Sequence, residues 1–302
     1  MILKEVHITG LWNKYNLEWK LNRSVNILSG INGVGKTTLL RIIQSLITNR
    51  TANISLKKIR RAELLFSEGY SIEYSYEEQN GGAQLHYKHN VNEITFEEFL
   101  TNIKIGAIST FDSRMPSLKE YQENIVTKGE KIRSQLDWKV EQMLTIYYKY
   151  VNSISQNVEK AISRNELDKL SLYYQKKNTF QALVNQMFSS THKEICDTAD
   201  GLMFRLEDGT LLAPHELSSG EKQLLILLIF ALAENNQEFI TLWDEPEISL
   251  HIDWQRRLIN TVHMLNPNGQ LIISTHSPSI IYEGWEKMVV NMEDLIHLQI
   301  PE

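Results

Sequence analysis

The sequence predicts an α/β protein with a helical arm set into it, and three observations lead there. A glycine-rich loop, GINGVGKTT, stands between an apolar strand and an amphipathic helix. Two later apolar runs, FITLW and LIIST, each deliver polar residues at their ends, as parallel strands of an open sheet do. Ahead of both, residues 136–162 repeat apolar positions every three or four residues, the spacing of a long helix.

The elements follow in order. MILKEVHITG opens as a strand, since Lys4 and Glu5 break its apolar run and read against a secretory leader. Residues 17–21 and 25–28 continue the strand pattern, and SIEYSYEE and AQLHYKH form a hairpin through Asn80, Gly81 and Gly82. The result is an antiparallel lobe beside the glycine-rich loop. Thr95, with Glu97 and Glu98 behind it, starts a short helix, and residues 104–110 form another buried strand. In the arm, Leu136, Val140, Met143, Tyr147, Tyr150, Ile154, Val158 and Ala161 mark one face of a helix roughly 40 Å long. Ser163 and Glu166 read as a capping box that opens a second helix. Phe180, Leu183, Val184, Met187 and Phe188 carry the helical pattern on toward Thr191. Such an arm packs as a bundle on the body or protrudes to bind a partner. Strands return at Gly201, with Asp208 and Gly209 as the turn of a hairpin.

The 302 residues are 42% hydrophobic and 9% aromatic, enough to build one large domain or two. A formal charge of −6 and a pI near 5.9 give no overall attraction to nucleic acid or to an anionic membrane. Nucleic-acid contact would need a local patch such as Lys57, Lys58, Arg60 and Arg61, which otherwise reads as a solvated helix face or a contact for an acidic partner surface. No run of ~18 apolar residues occurs, and LLILLIFALA is too short to span a bilayer, so no membrane partner is expected. The single cysteine, Cys196, excludes an internal disulfide framework; it reads as an inert buried thiol in a helical stretch, in a reduced, cytoplasmic compartment. Glu77-Glu78 and Glu97-Glu98 read as exposed faces. With no H-N-H, no CxxC and no clustered histidines, the chain shows no nuclease or zinc site of its own.

The chemistry lies in four motifs. Gly30, Gly35, Lys36 and Thr37 satisfy G-x-x-x-x-G-K-[ST], in which glycines let backbone N–H groups converge on a phosphate and lysine supplies a point charge. Residues 38–47 then place that phosphate on a helix N-terminus. Residues 217–223 offer a second polar, glycine-containing helix start, where Ser218 or Ser219 could equally be a plain N-cap. The run Phe239 to Trp243 ends on adjacent acids, Asp244 and Glu245, which can divide the work between a metal and a water or can simply be solvated. LIISTHSP brings His276 to the end of its strand in the same way.

In this order the four motifs resemble the ABC-type ATPases of the SMC, RecF and OLD-like branch, the LSSGE form of Leu217 to Glu221 most plainly. The resemblance covers roughly the first 110 and the last 100 residues. It implies an ABC-type P-loop ATPase head with a mixed central sheet, an N-terminal antiparallel lobe at 1–112, a helical insertion at 113–200 and a C-terminal lobe at 201–302. It further implies ATP and Mg²⁺ as ligands. Gly30, Asn32, Gly33, Val34, Gly35, Lys36, Thr37 and Thr38 would cradle the phosphates, Thr37 and Asp244 would hold the metal, and Lys36, Glu245 and His276 would serve hydrolysis. Ser218, Ser219, Gly220 and Glu221 would complete the site of a second protomer in a head-to-tail homodimer or higher homo-oligomer. Glu247, Ser249, Leu250 and His251 match the interface loop, with His251 where transporter members carry aspartate. Trp12, Asn13 and Lys14 match a nucleotide contact. The glutamine expected after residues 104–110 is missing, Asp112 and Arg114 standing there instead.

Three functions compete. A transporter's nucleotide-binding subunit shares the motifs but not LSSGE, DEPE and the long insertion. A RecF-like repair ATPase would bind DNA, which the acidic charge disfavours. The ATPase subunit of a bacterial anti-phage module, as in Septu, PARIS, retron-associated or OLD-like systems, is the expected reading. Because the sequence ends at Glu302 without space for an appended TOPRIM nuclease, its effector is expected to be a separate nuclease.

Overall fold

The computed structural model describes residues 1–50, 56, 58–77, 82–109, 134–199, 201–281 and 284–298. Lys57, Glu78, Asn80, Gly81, Asp112 and Arg114 lie outside the described residues. The chain forms two compact units, one of Met1–Ser109, Gln237–Pro246 and Asn268–Glu302, the other of Thr110–Asn236 and Glu247–Pro267.

The first unit contains two sheets. β1 (Leu3–Leu11), β2 (Tyr15–Lys20), β4 (Arg61–Phe66), β5 (Tyr70–Glu77), β6 (Gly82–His89), β7 (Asn92–Ile94) and β15 (Ile296–Leu298) form an antiparallel sheet in the order β15-β2-β1-β4-β5-β6-β7. Strand alternation places one residue in two on the core side, and register aligns them. Trp19, Val6, Leu64, Ile72 and Tyr87 thus make one buried row across five strands.

The second sheet comprises β3 (Val25–Ser29), β8 (Ile105–Ser109), β12 (Ile240–Asp244), β13 (Gln270–Ser274) and β14 (Val289–Asn291), in the order β14-β3-β13-β12-β8. Each of its pairings is parallel, so the mixture of strand senses lies between the sheets and not within either. β12 and β13 are buried along their whole length, which is why they read as unbroken apolar runs. α1 (Lys36–Ile47) touches β12, β13 and, from the other sheet, β5; its Leu39, Ile42, Ile43 and Leu46 join the core common to both sheets. α2 (Phe96–Asn102) starts at Thr95 with the expected reciprocal cap to Glu98. Gln270, fully buried, links the sheets: its carbonyl accepts the Leu3 N–H at 2.8 Å, and its amide donates to the carbonyls of Leu3 at 2.7 Å and Asn22 at 2.9 Å.

In the second unit, α3 (Gln135–Ser163), α4 (Leu170–Phe188) and α6 (Ile252–Leu265) pack on α5 (Ser219–Ala233). Helix α5 is apolar around its whole circumference and is accordingly the buried one. A small sheet, β11-β10-β9, is built from β9 (Lys193–Thr198), β10 (Gly201–Leu206) and β11 (Leu211–Leu212). Phe188 packs at a tilt between Phe204 and Trp254, whose indole N–H donates to the Met187 carbonyl at 2.6 Å. Lys222 on α5 pairs with Asp137 on α3 at 2.7 Å.

Three local expectations are corrected. Ser163 ends α3 and caps nothing, because its hydroxyl donates back to the Lys160 carbonyl; Glu166 pairs with Lys169 instead, and α4 begins at Leu170 after a short 3₁₀ turn at Leu167–Lys169. Cys196 lies on strand β9, partly exposed, opposite Met203. Of the basic cluster, Arg61 opens β4 and Arg60 folds against Gly10 and Asn13, so these two share no helix face.

Replacing Gln270 by leucine removes the side-chain partners of the buried Leu3 N–H and carbonyl and one of the two donors on the Asn22 carbonyl, which keeps the Asn26 amide at 2.9 Å. The variant is expected to lose about 3 kcal/mol in urea unfolding followed by circular dichroism.

Candidate functional site

The glycine-rich loop joins β3 to α1, and its last residue before the helix, Gly35, sets the geometry. Gly35 is the N-cap with φ 109°, a conformation side chains resist, and a Cβ there would stand 2.1 Å from the Trp12 ring. Trp12 reaches it from the β1–β2 turn, where Trp12 and Asn13 both have positive φ and Lys14 N–H closes on the Leu11 carbonyl at 3.1 Å. Two consecutive left-handed residues thus sit in a three-residue hairpin loop, and holding tryptophan in that conformation stores strain beside the glycine-rich loop. Lys14 itself is exposed, with its ammonium over the Tyr15 ring at 4.9 Å.

The Lys36 ammonium is almost wholly buried and turned back into its own loop. It donates to the carbonyls of Gly30 at 3.0 Å and Ile31 at 3.2 Å and to His276 Nε2 at 2.6 Å. Since an ammonium has only protons to offer, His276 Nε2 is the acceptor in this contact. The same His276 Nε2 is 3.5 Å from Glu245 Oε1. Strand β13 delivers His276 just past its end, and β12 delivers Asp244 and Glu245 at the same level, Asp244 lying opposite Ser274. Glu245 has left the strand with φ 50°, a left-handed backbone anchored by its N–H on the Ser274 carbonyl at 2.9 Å. Asp244 Oδ1 accepts from Thr37 Oγ1 at 2.9 Å and from Ser274 Oγ at 2.5 Å.

Lys36, Thr37, Asp244, Glu245 and His276 are therefore brought together within the first unit. Asn32, Gly33 and Val34 lie in the loop before Gly35, the first two exposed, and Thr38 follows in the first turn of α1. Sequence reasoning missed Ser274, whose place at the end of an apolar strand looked like packing. It also missed Glu293, which accepts the Ile31 N–H at 3.0 Å from far along the chain and which nothing in the local sequence marks.

The LSSGE residues belong to the second unit. Ser218 caps α5, its hydroxyl accepting the Glu221 N–H at 3.4 Å while Glu221 Oε2 takes the Ser218 N–H at 2.9 Å. Ser219 is exposed at the first helical position. Gly220 is buried so closely against the backbone that a Cβ would stand 2.4 Å from the Ser249 carbonyl, and Ser249 has φ 69°. The loop of Glu247, Ser249, Leu250 and His251 thus runs over the start of α5, and His251 caps α6 by accepting the Asp253 N–H. Burial pushes the Glu221 carboxyl up, but the Lys193 ammonium at 2.6 Å and the Ser218 donors outweigh it and hold the group below the usual carboxylate range.

The family described as "AAA domain, putative AbiEii toxin, Type IV TA system" matches residues 25–281. The chain belongs to that family. It is 24% identical over 327 residues to the Septu protein PtuA of Bacillus thuringiensis, covering 93% of this chain and 73% of PtuA. It is 28% identical over 140 residues to the "Retron Vc95 probable ATPase" of Vibrio cholerae serotype O1 biovar El Tor, which spans 42% of this chain and 27% of that protein. Among solved structures, the SMC head bound to the C-winged helix domain of ScpA superposes with a TM-score of 0.59 at 11% identity, over 99% of this chain and 98% of that one. The SMC head domain from Thermotoga maritima gives 0.54 at 15% identity over the full length of both. The fold is accordingly that of an SMC head domain. Among the described residues no helix is long and apolar enough to cross a membrane, and no group of three or more His, Cys, Asp or Glu side chains is placed to hold a metal.

Substituting Gly35 by alanine forces a side chain into the Trp12 ring at a φ that alanine avoids. Nucleotide affinity measured by calorimetry is expected to fall by at least about 100-fold, and Trp12→Ala in the same chain is not expected to restore it, because the backbone strain persists. Because the folded value of Glu221 lies below the unfolded one, its contribution to stability is present above pH ~4.3 and is lost as the pH falls through the folded value. Lys193→Met should therefore flatten the acid limb of the stability curve followed by denaturant titration from pH 3 to 6.

Proposed function

We propose that the chain is a Mg²⁺-dependent ATP-binding and hydrolysing ATPase that acts as a dimerising switch, the ATPase subunit of an anti-phage defence system with a separate effector nuclease. The observation that carries this reading is the convergence of Lys36, Thr37, Asp244, Glu245 and His276 on one loop at the carboxyl ends of parallel strands. The similarity to PtuA across 93% of the chain supports the defence setting.

The residues fit a magnesium ion. Thr37 and Asp244 are both oxygen donors, already 2.9 Å apart, and a hydroxyl with one carboxylate leaves positions for waters and phosphate oxygens, as Mg²⁺ prefers. Bound there, the ion would neutralise charge on the phosphates. The other steps belong to the chain. Lys36 exchanges its loop carbonyls and His276 for phosphate oxygens, with Gly30, Asn32, Gly33, Val34, Gly35 and Thr38 forming the cradle. Glu245 positions and deprotonates the attacking water, and His276, released from Lys36, turns to the γ-phosphate. Trp12, seated on Gly35, would meet the nucleotide from the sheet side, with Lys14 beside it. Ser218, Ser219, Gly220 and Glu221 would close the site of a second protomer, and the insertion at 113–200 would carry the movement to the partner. A cytoplasmic setting accords with these roles.

Glu245→Gln is expected to retain bound ATP and to lower turnover about 10²- to 10⁴-fold, the range for loss of a general base. Lys36→Ala should abolish binding. A Glu245→Gln enzyme that turns over at the native rate removes the base assignment. Mixing Lys36→Ala with Ser219→Arg, each inactive alone, should restore partial activity if each protomer completes the other's site, and no recovery would exclude the head-to-tail arrangement.

A further inference from the structure

The peptide between Gly30 and Ile31 is held from both of its ends. Its carbonyl accepts the Lys36 ammonium at 3.0 Å, and its N–H donates to Glu293 Oε1 at 3.0 Å. In a planar trans peptide these two groups point in opposite directions, so a carboxylate on the N–H fixes which way the carbonyl faces. The Ile31 side chain is 71% exposed and supplies almost no packing to do this instead.

Glu293 lies on α7 (Met292–Leu295), the turn between β14 and β15. β14 pairs with β3 in the parallel sheet and β15 with β2 in the antiparallel one, so this segment is fastened on both sides of Glu293. Asn291 adds a second hold, its side-chain carbonyl accepting the Ser29 hydroxyl at 2.5 Å. Gly30 permits the approach, for a Cβ there would stand 2.7 Å from Glu293 Oε2. The Ile31 N–H, then Glu293's own N–H and the nearby Lys36 ammonium, hold the Glu293 carboxyl below its ordinary value, so it accepts as a carboxylate at neutral pH.

We propose that Asn291 and Glu293 form a positioning clamp on the first limb of the phosphate-binding loop, fixing the Gly30–Ile31 peptide and thereby setting the affinity of the loop for a nucleoside triphosphate. This rests on the reading of that loop as the ATP site. Glu293 touches the loop backbone and acts through Lys36; it is a positioning residue. What the clamp supplies is preorganisation, since a loop already in its binding conformation loses less entropy when the ligand arrives.

The test separates reach from charge. Glu293→Asp keeps the charge but is one methylene too short, whereas Glu293→Gln keeps an acceptor oxygen in place without the charge. Glu293 is exposed, so each variant should melt within a few degrees of the parent protein. Mg-ATP affinity is measured by calorimetry, with Lys36→Ala as the non-binding control. Glu293→Asp and Glu293→Ala are expected to weaken binding about tenfold or more, as loss of a hydrogen bond to a charged group does, and Glu293→Gln to stay within about threefold of the parent. Asn291→Ala should fall between them. Unchanged affinity in Glu293→Ala, or a Gln variant as weak as Ala beside an Asp variant as tight as the parent, overturns the clamp. Failure of the parent protein to bind Mg-ATP overturns the ATP-site reading itself.

Discussion

One oxygen of Asp244 accepts hydrogen bonds from both Thr37 and Ser274, and the rest of the site is organised around that junction. The carboxylate is buried, so its charge is tolerable only where hydroxyls replace the water it has lost. The two donors come from different elements, the first turn of α1 and the end of β13. A single acceptor therefore fixes how far the helix start stands from the strand ends. Moving α1 by even an ångström would break one of these bonds and leave the acid poorly solvated.

The lysine presents the opposite problem and receives the matching answer. Lys36 is as buried as Asp244, yet its ammonium is supplied with carbonyl oxygens from its own loop and with the ring of His276. An anion entering the loop therefore replaces partners of moderate strength and does not have to rescue a bare charge. The same histidine sits 3.5 Å from Glu245, so lysine, histidine and glutamate form one connected chain of contacts. The left-handed backbone at Glu245 belongs with this chain, since strain held in place by neighbours tends to collect where a side chain must point in one direction.

Much of this was legible in the sequence because the signals were local. The apolar period of residues 136–162 located α3 to within a residue at each end, and uninterrupted apolar runs marked β12 and β13 as strands buried on both faces. Helix α1 begins two residues earlier than its apolar pattern suggests, because Gly35 in a left-handed conformation ends the loop just before Lys36. The false capping box at Ser163 and Glu166 shows the limit of a pattern: the residues match, but the hydroxyl finds a closer acceptor in its own helix. Cys196 was misplaced because residues 193–198 pair as a strand after α4 has ended. Ser274, the seat of Trp12 on Gly35 and the reach of Glu293 to Ile31 were invisible for a different reason. Each is a contact between residues more than twenty positions apart, and such contacts exist only once the sheets are assembled.

The order β15-β2-β1-β4-β5-β6-β7 has a further consequence. The long strands lie inside this sheet, and the two at its margins, Ile296–Leu298 and Asn92–Ile94, have three residues each. An exposed margin is a template on which a stray chain can add itself, and a short one offers too few backbone groups to hold it. At the Asn92–Ile94 margin, three residues give a stray chain little backbone to pair with.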